Sequence, residues 1–311
     1  SHTWAADTPD HSLIMNMQGL KVVMQVSSSL KEGLNYTARF FNVKKDNFEK
    51  IIIDKGKETS PELRINNSIL KTGSPTSVTF DGMLTFSYPE NQGIVVMRTI
   101  YPSNLNAMVI EEWQVRNNSG KIVKISVSND RQLKYTDEEI VVVVTCTGIA
   151  PVEVAAGDKL FFTVSVQARE IKGTDMVSDI TKEHQARVSM ANWAWNGPCR
   201  LETPDQEIDL AFALQKFHIL ECPIETWKGI ITHNGSLRYS PGIWANDPVE
   251  YSSPVFPFFG NDQLNKAALN MYSIWMEYCQ KNGINPFPGS FEGPSLRLTQ
   301  QQRGDDTMVL Y

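Results

Sequence analysis

Almost none of the signatures that assign a chemistry outright are present in this chain. Its four cysteines (Cys146, Cys199, Cys222 and Cys279) form no CxxC pair and have no histidine partners at zinc spacing. HExxH, GxSxG and a Gly-rich phosphate loop are all missing, which sets aside zinc-protease, α/β-hydrolase and nucleotide-binding readings. There is no block of Lys or Arg, and the net charge is −6, so neither nucleic acid nor an anionic membrane is an expected partner. No apolar run approaches the ~20 residues of a membrane span; the longest, Ile140 to Val144, is β-branched and of strand length. The N-terminus, Ser1-His2-Thr3-Trp4, has no basic-then-apolar signal and reads as a mature or an engineered start, which decides nothing about export. Neither a cofactor nor a metal is expected. The acidic run Asp137-Glu138-Glu139 reads as a solvated turn rather than a calcium site.

What remains is a chain of 311 residues with 41% hydrophobic content, enough for about two domains with ordinary cores. The period of the pattern changes along it. From Gly19 to about Arg169, short runs rich in Val, Ile, Thr and Phe alternate with turn residues such as Asn118-Ser119-Gly120. The runs predict strands over 20–26, 37–43, 50–54, 77–88, 93–100, 108–116, 121–127, 139–147 and 160–168. Many strands at close spacing without helical interruption argue for an antiparallel sandwich.

Beyond Lys172 the pattern turns helical. Thr203-Pro204-Asp205-Gln206 reads as a capping box with Thr203 as N-cap, opening a helix through Leu220, with Pro223 after its end. A second helix starts near Asn261-Asp262, its apolar stripe formed by Leu264, Ala267, Ala268, Met271, Trp275 and Tyr278, and stops at Asn282-Gly283. Residues 175–190 form a weaker helical candidate, and a last helix begins around Arg303-Gly304-Asp305. The expected division is a β-sandwich over 1–170, a linker with a helix over 171–203, and helices over 204–311. Cys199 and Cys222 flank the same helix, so a disulfide between them stands beside the reading of four free thiols.

The densest stretch is Gly242-Ile243-Trp244-Ala245-Asn246-Asp247-Pro248-Val249-Glu250-Tyr251, followed by Pro257-Phe258-Phe259-Gly260. Its prolines rule out one continuous helix. Aromatic faces stack on pyranose C–H groups while Asp, Glu and Asn pair with hydroxyls, so the mixture suits a sugar. With Phe212 to Leu220, Gly229-Ile230-Ile231 and Arg303-Gly304-Asp305-Asp306-Thr307-Met308, it resembles the first helical hairpins of six-hairpin glycosidases. That resemblance implies an antiparallel β-sandwich followed by helical hairpins of an incomplete (α/α)6 toroid. A closed barrel needs ~12 helices of ~10–14 residues, so the chain is expected to be the front part of a longer enzyme whose remaining barrel completes it.

The resemblance further implies a glycoside hydrolase acting on an oligo- or polysaccharide, with inversion, its site at the barrel mouth. Inverting enzymes hold two carboxyl groups ~6.5–9.5 Å apart so that water fits between them. Asp247 and Glu250 are the candidate catalytic carboxylates, better suited to gripping sugar than to acid/base duty. Trp244, Asn246, Tyr251, Arg303, Asp305 and Asp306 are candidate substrate-binding residues. Residue by residue there are plainer readings: Trp244 as core, Asp247 before Pro248 as a turn, Glu250 as a surface charge. His184 and His218 read as structural, while His233 lies in a loop that can reach a site. The alternative function is a non-catalytic carbohydrate-binding or adhesion protein with a β-sandwich, or an inactive fragment of the enzyme. The expected setting is periplasmic or extracellular.

Overall fold

The computed structural model describes residues 2–5, 11–17, 20–26, 37–40, 51–54, 61–106, 108–128, 133–136, 140–146, 149–175, 177–226, 228–232, 242–244, 252–283, 290–292 and 297–300. They comprise antiparallel β-sheets followed by a few helices. The chain divides into two compact units. The first is Ser1–Leu13, Val22–Phe40 and Ile51–Arg187; the second is Ile14–Lys21, Phe41–Lys50 and Val188–Tyr311.

The first unit is dominated by two sheets. Its strands are β1 (His2–Ala5), β6 (Glu62–Ile65), β7 (Ser68–Ile69), β8 (Ser77–Phe80), β9 (Leu84–Ser87) and β10 (Ile94–Pro102), then β11 (Met108–Asn117), β12 (Val123–Ser128), β13 (Leu133–Thr136), β14 (Ile140–Cys146), β15 (Ile149–Val154) and β16 (Lys159–Glu170). An eight-stranded sheet has the order β1-β8-β9-β10-β11-β16-β14-β13, and a four-stranded sheet the order β15-β12-β6-β7. Alternate residues of β12 (Val123, Ile125, Val127) are buried while Lys124 is exposed, the period-2 pattern of a sheet with one covered face. In β14, by contrast, Val141 to Val144 are all buried, as a strand covered on both faces requires. Asn117, buried at the end of β11, donates from Nδ2 to the Lys121 and Val154 carbonyls at 2.7 and 2.9 Å.

A further sheet joins β2 (His11–Met17), β3 (Leu20–Val26), β4 (Thr37–Phe40) and β5 (Ile51–Asp54). The run expected as one strand over 77–88 is two. Asp81-Gly82-Met83 turns the chain, with Gly82 at φ 100, and pairs β8 with β9 from Phe80↔Leu84 to Ser77↔Ser87. Apolar residues on both sides of a single glycine hid this hairpin.

One row across the large sheet holds its most unusual chemistry. Phe86, Arg98, Trp113 and Phe162 are cross-strand neighbours on β9, β10, β11 and β16. Arg98 is buried, with its guanidinium carbon 4.8 Å from the Trp113 ring centre. Glu111 answers its charge: Nη2 to Oε1 is 2.8 Å, and Nε donates to Oε2 at 2.9 Å. Trp113 Nε1 donates to the same Oε2 at 3.1 Å, and its ring lies nearly parallel to Phe162 at 5.7 Å.

The helices are α1 (Ile180–Asn196), α2 (Gln206–Leu220), the short α3 (Phe256–Phe259) and α4 (Asp262–Asn282). Residue 180, not 175, opens α1, which runs six residues beyond the expected end. Helix α2 is capped by Asp205 rather than Thr203: Asp205 Oδ1 accepts from the Glu207 amide at 2.9 Å, and Thr203 Oγ1 donates to the Asp205 carbonyl. Both residues suit an N-cap, and the side chain nearer the first turn takes the role. Helix α4 follows its predicted bounds. Asn261 Oδ1 accepts from the Gln263 and Leu264 amides, Gly283 closes the end, and Leu264, Ala267, Ala268, Met271 and Trp275 are buried together with Ile274; Tyr278 is half-buried.

Two short sheets complete the second unit. Strands β17 (Pro223–Thr226) and β18 (Gly229–Thr232) form a hairpin, clasped by α4 through Asn270 Nδ2, which donates to the Lys228 and Ile230 carbonyls at 2.8 and 2.9 Å. Strands β19 (Gly242–Trp244), β20 (Ser290–Glu292) and β21 (Arg297–Gln300) pair in that order. All four cysteines are free thiols, so the Cys199–Cys222 disulfide does not form.

Breaking the buried ion pair by Glu111→Leu strands the Arg98 charge and should lower stability by about 3–5 kcal/mol, whereas Arg98→Met combined with Glu111→Leu should recover most of that loss. Urea unfolding of the single and double variants checks this. A double variant as unstable as the single would count against it.

Candidate functional site

Two groups of polar side chains stand out among the described residues, one in each unit. In the first unit, Glu112 points to the opposite sheet face from Glu111 because successive strand residues alternate. Its Oε1 accepts from the Tyr101 hydroxyl and lies 2.7 Å from His184 Nδ1. The His184 ring sits edge-on to Tyr101 at 6.0 Å. Burial, then the bond to Glu112, hold the Tyr101 phenol far above its ordinary pKa and therefore neutral. On the preceding residue of α1, buried Glu183 accepts from Asn106 Nδ2 at 2.9 Å, and Arg187 Nε donates to the Gly82 carbonyl at 2.7 Å. These bonds tie the start of α1 to the sheet, the structural role expected of His184.

The second group lines a cleft of about 210 Å³. Trp195 and Asn196 come from the end of α1, Arg200 from the following turn, and Asp209, Phe212 and Lys216 from α2. Gly197 permits that turn: a Cβ there would stand 2.4 Å from the Trp193 carbonyl oxygen. Cys199 then takes a left-handed φ of 58, which is uncommon for a non-glycine residue. Lys216, only 1% exposed, donates from Nζ to the Pro198 carbonyl at 2.7 Å and the Cys199 carbonyl at 3.4 Å. Its ammonium also lies 5.0 Å from the Trp193 ring centre. Burial lowers its pKa below the ordinary lysine value. Asp209 accepts from the Thr203 amide with both oxygens, at 2.9 and 3.2 Å. Arg200 is exposed and paired with Glu202 at 3.0 Å. A ring that stacks, an amide, a carboxylate and two cations can hold a small hydroxylated ligand.

Of the residues expected at the site, Trp244 lies on β19, its backbone opposite Ser290 of β20, so that part of the motif is a strand rather than a loop. Asn246, Asp247, Glu250, Tyr251, Arg303, Asp305 and Asp306 lie outside the described residues, as do His233 and the run 137–139. The Phe-rich stretch that follows is packing. Phe256 and Phe259 are buried, and Phe259 meets Trp193 edge-on at 6.3 Å; Phe258 is exposed. His218 lies on α2 beside Glu221, 3.2 Å from its Oε2.

Trp195, Asn196, Arg200, Asp209 and Lys216 were not anticipated from the sequence. Two signals were available for them. One is the cluster Trp193-Ala194-Trp195-Asn196-Gly197 at a helix end; the other is a lysine at helical spacing with Ala213, Phe217 and Leu220 on the apolar face of α2.

No protein-family model matches the sequence, and no curated protein matches it either. Among solved structures, the chain is similar to one described as "Putative kojibiose phosphorylase from human microbiome", at 11% identity and a TM-score of 0.45. The alignment covers 95% of this chain and 52% of that one, so the chain spans about half the length of that protein. A likeness of this size fixes neither fold nor activity.

The turn after α1 carries an exposed thiol at Cys199, whereas Cys222 is half-buried with its Sγ donating to the His218 carbonyl at 3.2 Å; burial, with Glu111 nearby, pushes the Cys146 thiol up to about 11, and burial also raises that of Cys279. Because the thiolate is the reactive form, a disulfide reagent at pH 8 should find one fast thiol per native chain, and Cys199→Ser should abolish that phase. Stopped-flow absorbance reads it; a fast phase that survives the substitution would reassign the accessible cysteine.

Proposed function

We propose that the protein is carbohydrate-active and that the cleft between the end of α1 and α2 contacts sugar. The observation that carries this reading is the lining itself: Trp195, Asn196, Arg200 and Asp209 line one cleft. An indole face covers the C–H side of a pyranose, and the amide, carboxylate and guanidinium match hydroxyl donors and acceptors. The volume, below the range of about 300–1,000 Å³ typical of drug-sized ligands, suits one sugar ring rather than a long chain.

The finer reading is a glycoside hydrolase that inverts configuration, with the helices as the opening of an (α/α)6 toroid. A carboxylic acid would protonate the glycosidic oxygen while a carboxylate removes a proton from the attacking water, which bonds to the anomeric carbon as the leaving sugar departs. Asp247 and Glu250 are the candidates in this chain, with Trp244, Asn246 and Tyr251 beside them in sequence and Arg303, Asp305 and Asp306 further on. A second reading, binding without cleavage, is favoured by one observation: the Asp209 carboxylate in the cleft is already engaged by the Thr203 amide on both oxygens.

Reducing-sugar release from an oligosaccharide panel, with the intact mass of the protein measured alongside, tests both. Hydrolysis by the protein, lowered about 10²-fold or more by Asp247→Asn and shifted mainly in KM by Trp195→Ala, supports the enzyme. Binding without release supports the second reading. Neither binding nor release from any sugar would sink the carbohydrate assignment.

A further inference from the structure

Helix α2 buries Lys216 by other means than those by which β10 buries Arg98. Where Arg98 is buried, Glu111 meets it with a full negative charge. Lys216 is equally enclosed, yet the groups around its Nζ are two backbone carbonyls and the face of Trp193. These are neutral dipoles and a ring quadrupole. They orient an ammonium without cancelling its charge. Among the described residues, no carboxylate lies within ion-pair distance of Lys216. A buried charge is ordinarily paired, and Lys216 lines a cleft open to a ligand.

The other charges of the cleft are distributed unevenly. Asp209 and Lys216 are seven residues apart on α2, hence on one face and separated along the axis by about 10 Å. Arg200, whose partner Glu202 forms an exposed pair of little strength, also lines the cleft. The cleft therefore holds two cations against one carboxylate, in a chain whose net charge is −6.

We propose that the cleft takes an anionic sugar, one bearing a carboxylate or a phosphate, with Lys216 as counter-ion to the acid group and Arg200 as its second cation. The inference rests on the reading of this cleft as a sugar site and adds the charge of its ligand. Hydroxyls of the same ring are then available to Asp209 and Asn196, and Trp195 covers the ring. The ammonium must be protonated to serve, and burial favours its neutral form. Affinity for the anion should therefore fall with rising pH earlier than an ordinary lysine would dictate, and fall also with salt.

Calorimetric titration of the intact protein with glucuronate, glucose 6-phosphate, glucose and inorganic phosphate tests this. The expected result is binding of one or both acidic sugars at least ten-fold tighter than glucose, with Arg200→Gln and Lys216→Met each removing most of that preference. Arg200 is exposed, so Arg200→Gln carries the test if Lys216→Met fails to fold. Equal binding of glucose and the acidic sugars overturns the charge assignment and leaves the sugar site standing. Inorganic phosphate binding as tightly as glucose 6-phosphate assigns the charge to a free anion and overturns the acidic-sugar ligand. Binding of none of the four overturns this inference, and absence of binding to the neutral oligosaccharide panel as well would remove the sugar reading beneath it.

Discussion

The first unit is organised around a carboxylate placed where water cannot reach it. Glu111 sits in β11, with β10 on one side and β16 on the other, and its two oxygens are consumed by the Arg98 guanidinium and the Trp113 indole. Each partner is in turn fixed: the guanidinium lies over the indole, and the indole lies between Tyr88 and Phe162, nearly parallel to both. A shift of register by one residue would carry Glu111 to the other face and leave Arg98 unanswered. The ion pair specifies which residues of β10 and β11 face each other, whatever its net contribution to stability. Glu112 gains its place by the same alternation, on the face where Tyr101 and His184 receive it.

The second unit solves a similar difficulty by other means. Lys216 is enclosed by the turn that follows α1, and that turn exists because Gly197 has no side chain and Cys199 accepts a left-handed backbone. Arg98 is met by an ion, Lys216 by dipoles and a ring face. The second solution leaves charge over beside the cleft that Lys216 lines.

How much of this was legible follows from the range of each signal. Helix α4 could be read to the residue because its stripe and both of its ends are written within the helix, in Leu264 to Trp275, Asn261 and Gly283. Most long strands of the eight-stranded sheet were likewise local. Strand β15 was not: it is an edge strand, most of its residues are exposed, and it contains Pro151, so neither periodicity nor burial marks it. The pairing of β19 with β20 joins residues almost fifty apart, beyond the reach of any window. The cleft was half written. A lysine among Ala213, Phe217 and Leu220 announces a buried charge, but only the fold shows the carbonyls that surround it. Asp247 and Glu250 lie outside the described residues.

The clasp of Asn270 has a mechanical consequence. Its single amide group holds two carbonyls of the β17–β18 hairpin, one on either side of Gly229. The turn of a hairpin is where it would ordinarily bend, and here that bend is pinned from the flank of a 21-residue helix. The hairpin is thus denied a hinge of its own: it can lift only if both bonds break, and otherwise it travels with α4 as one lever.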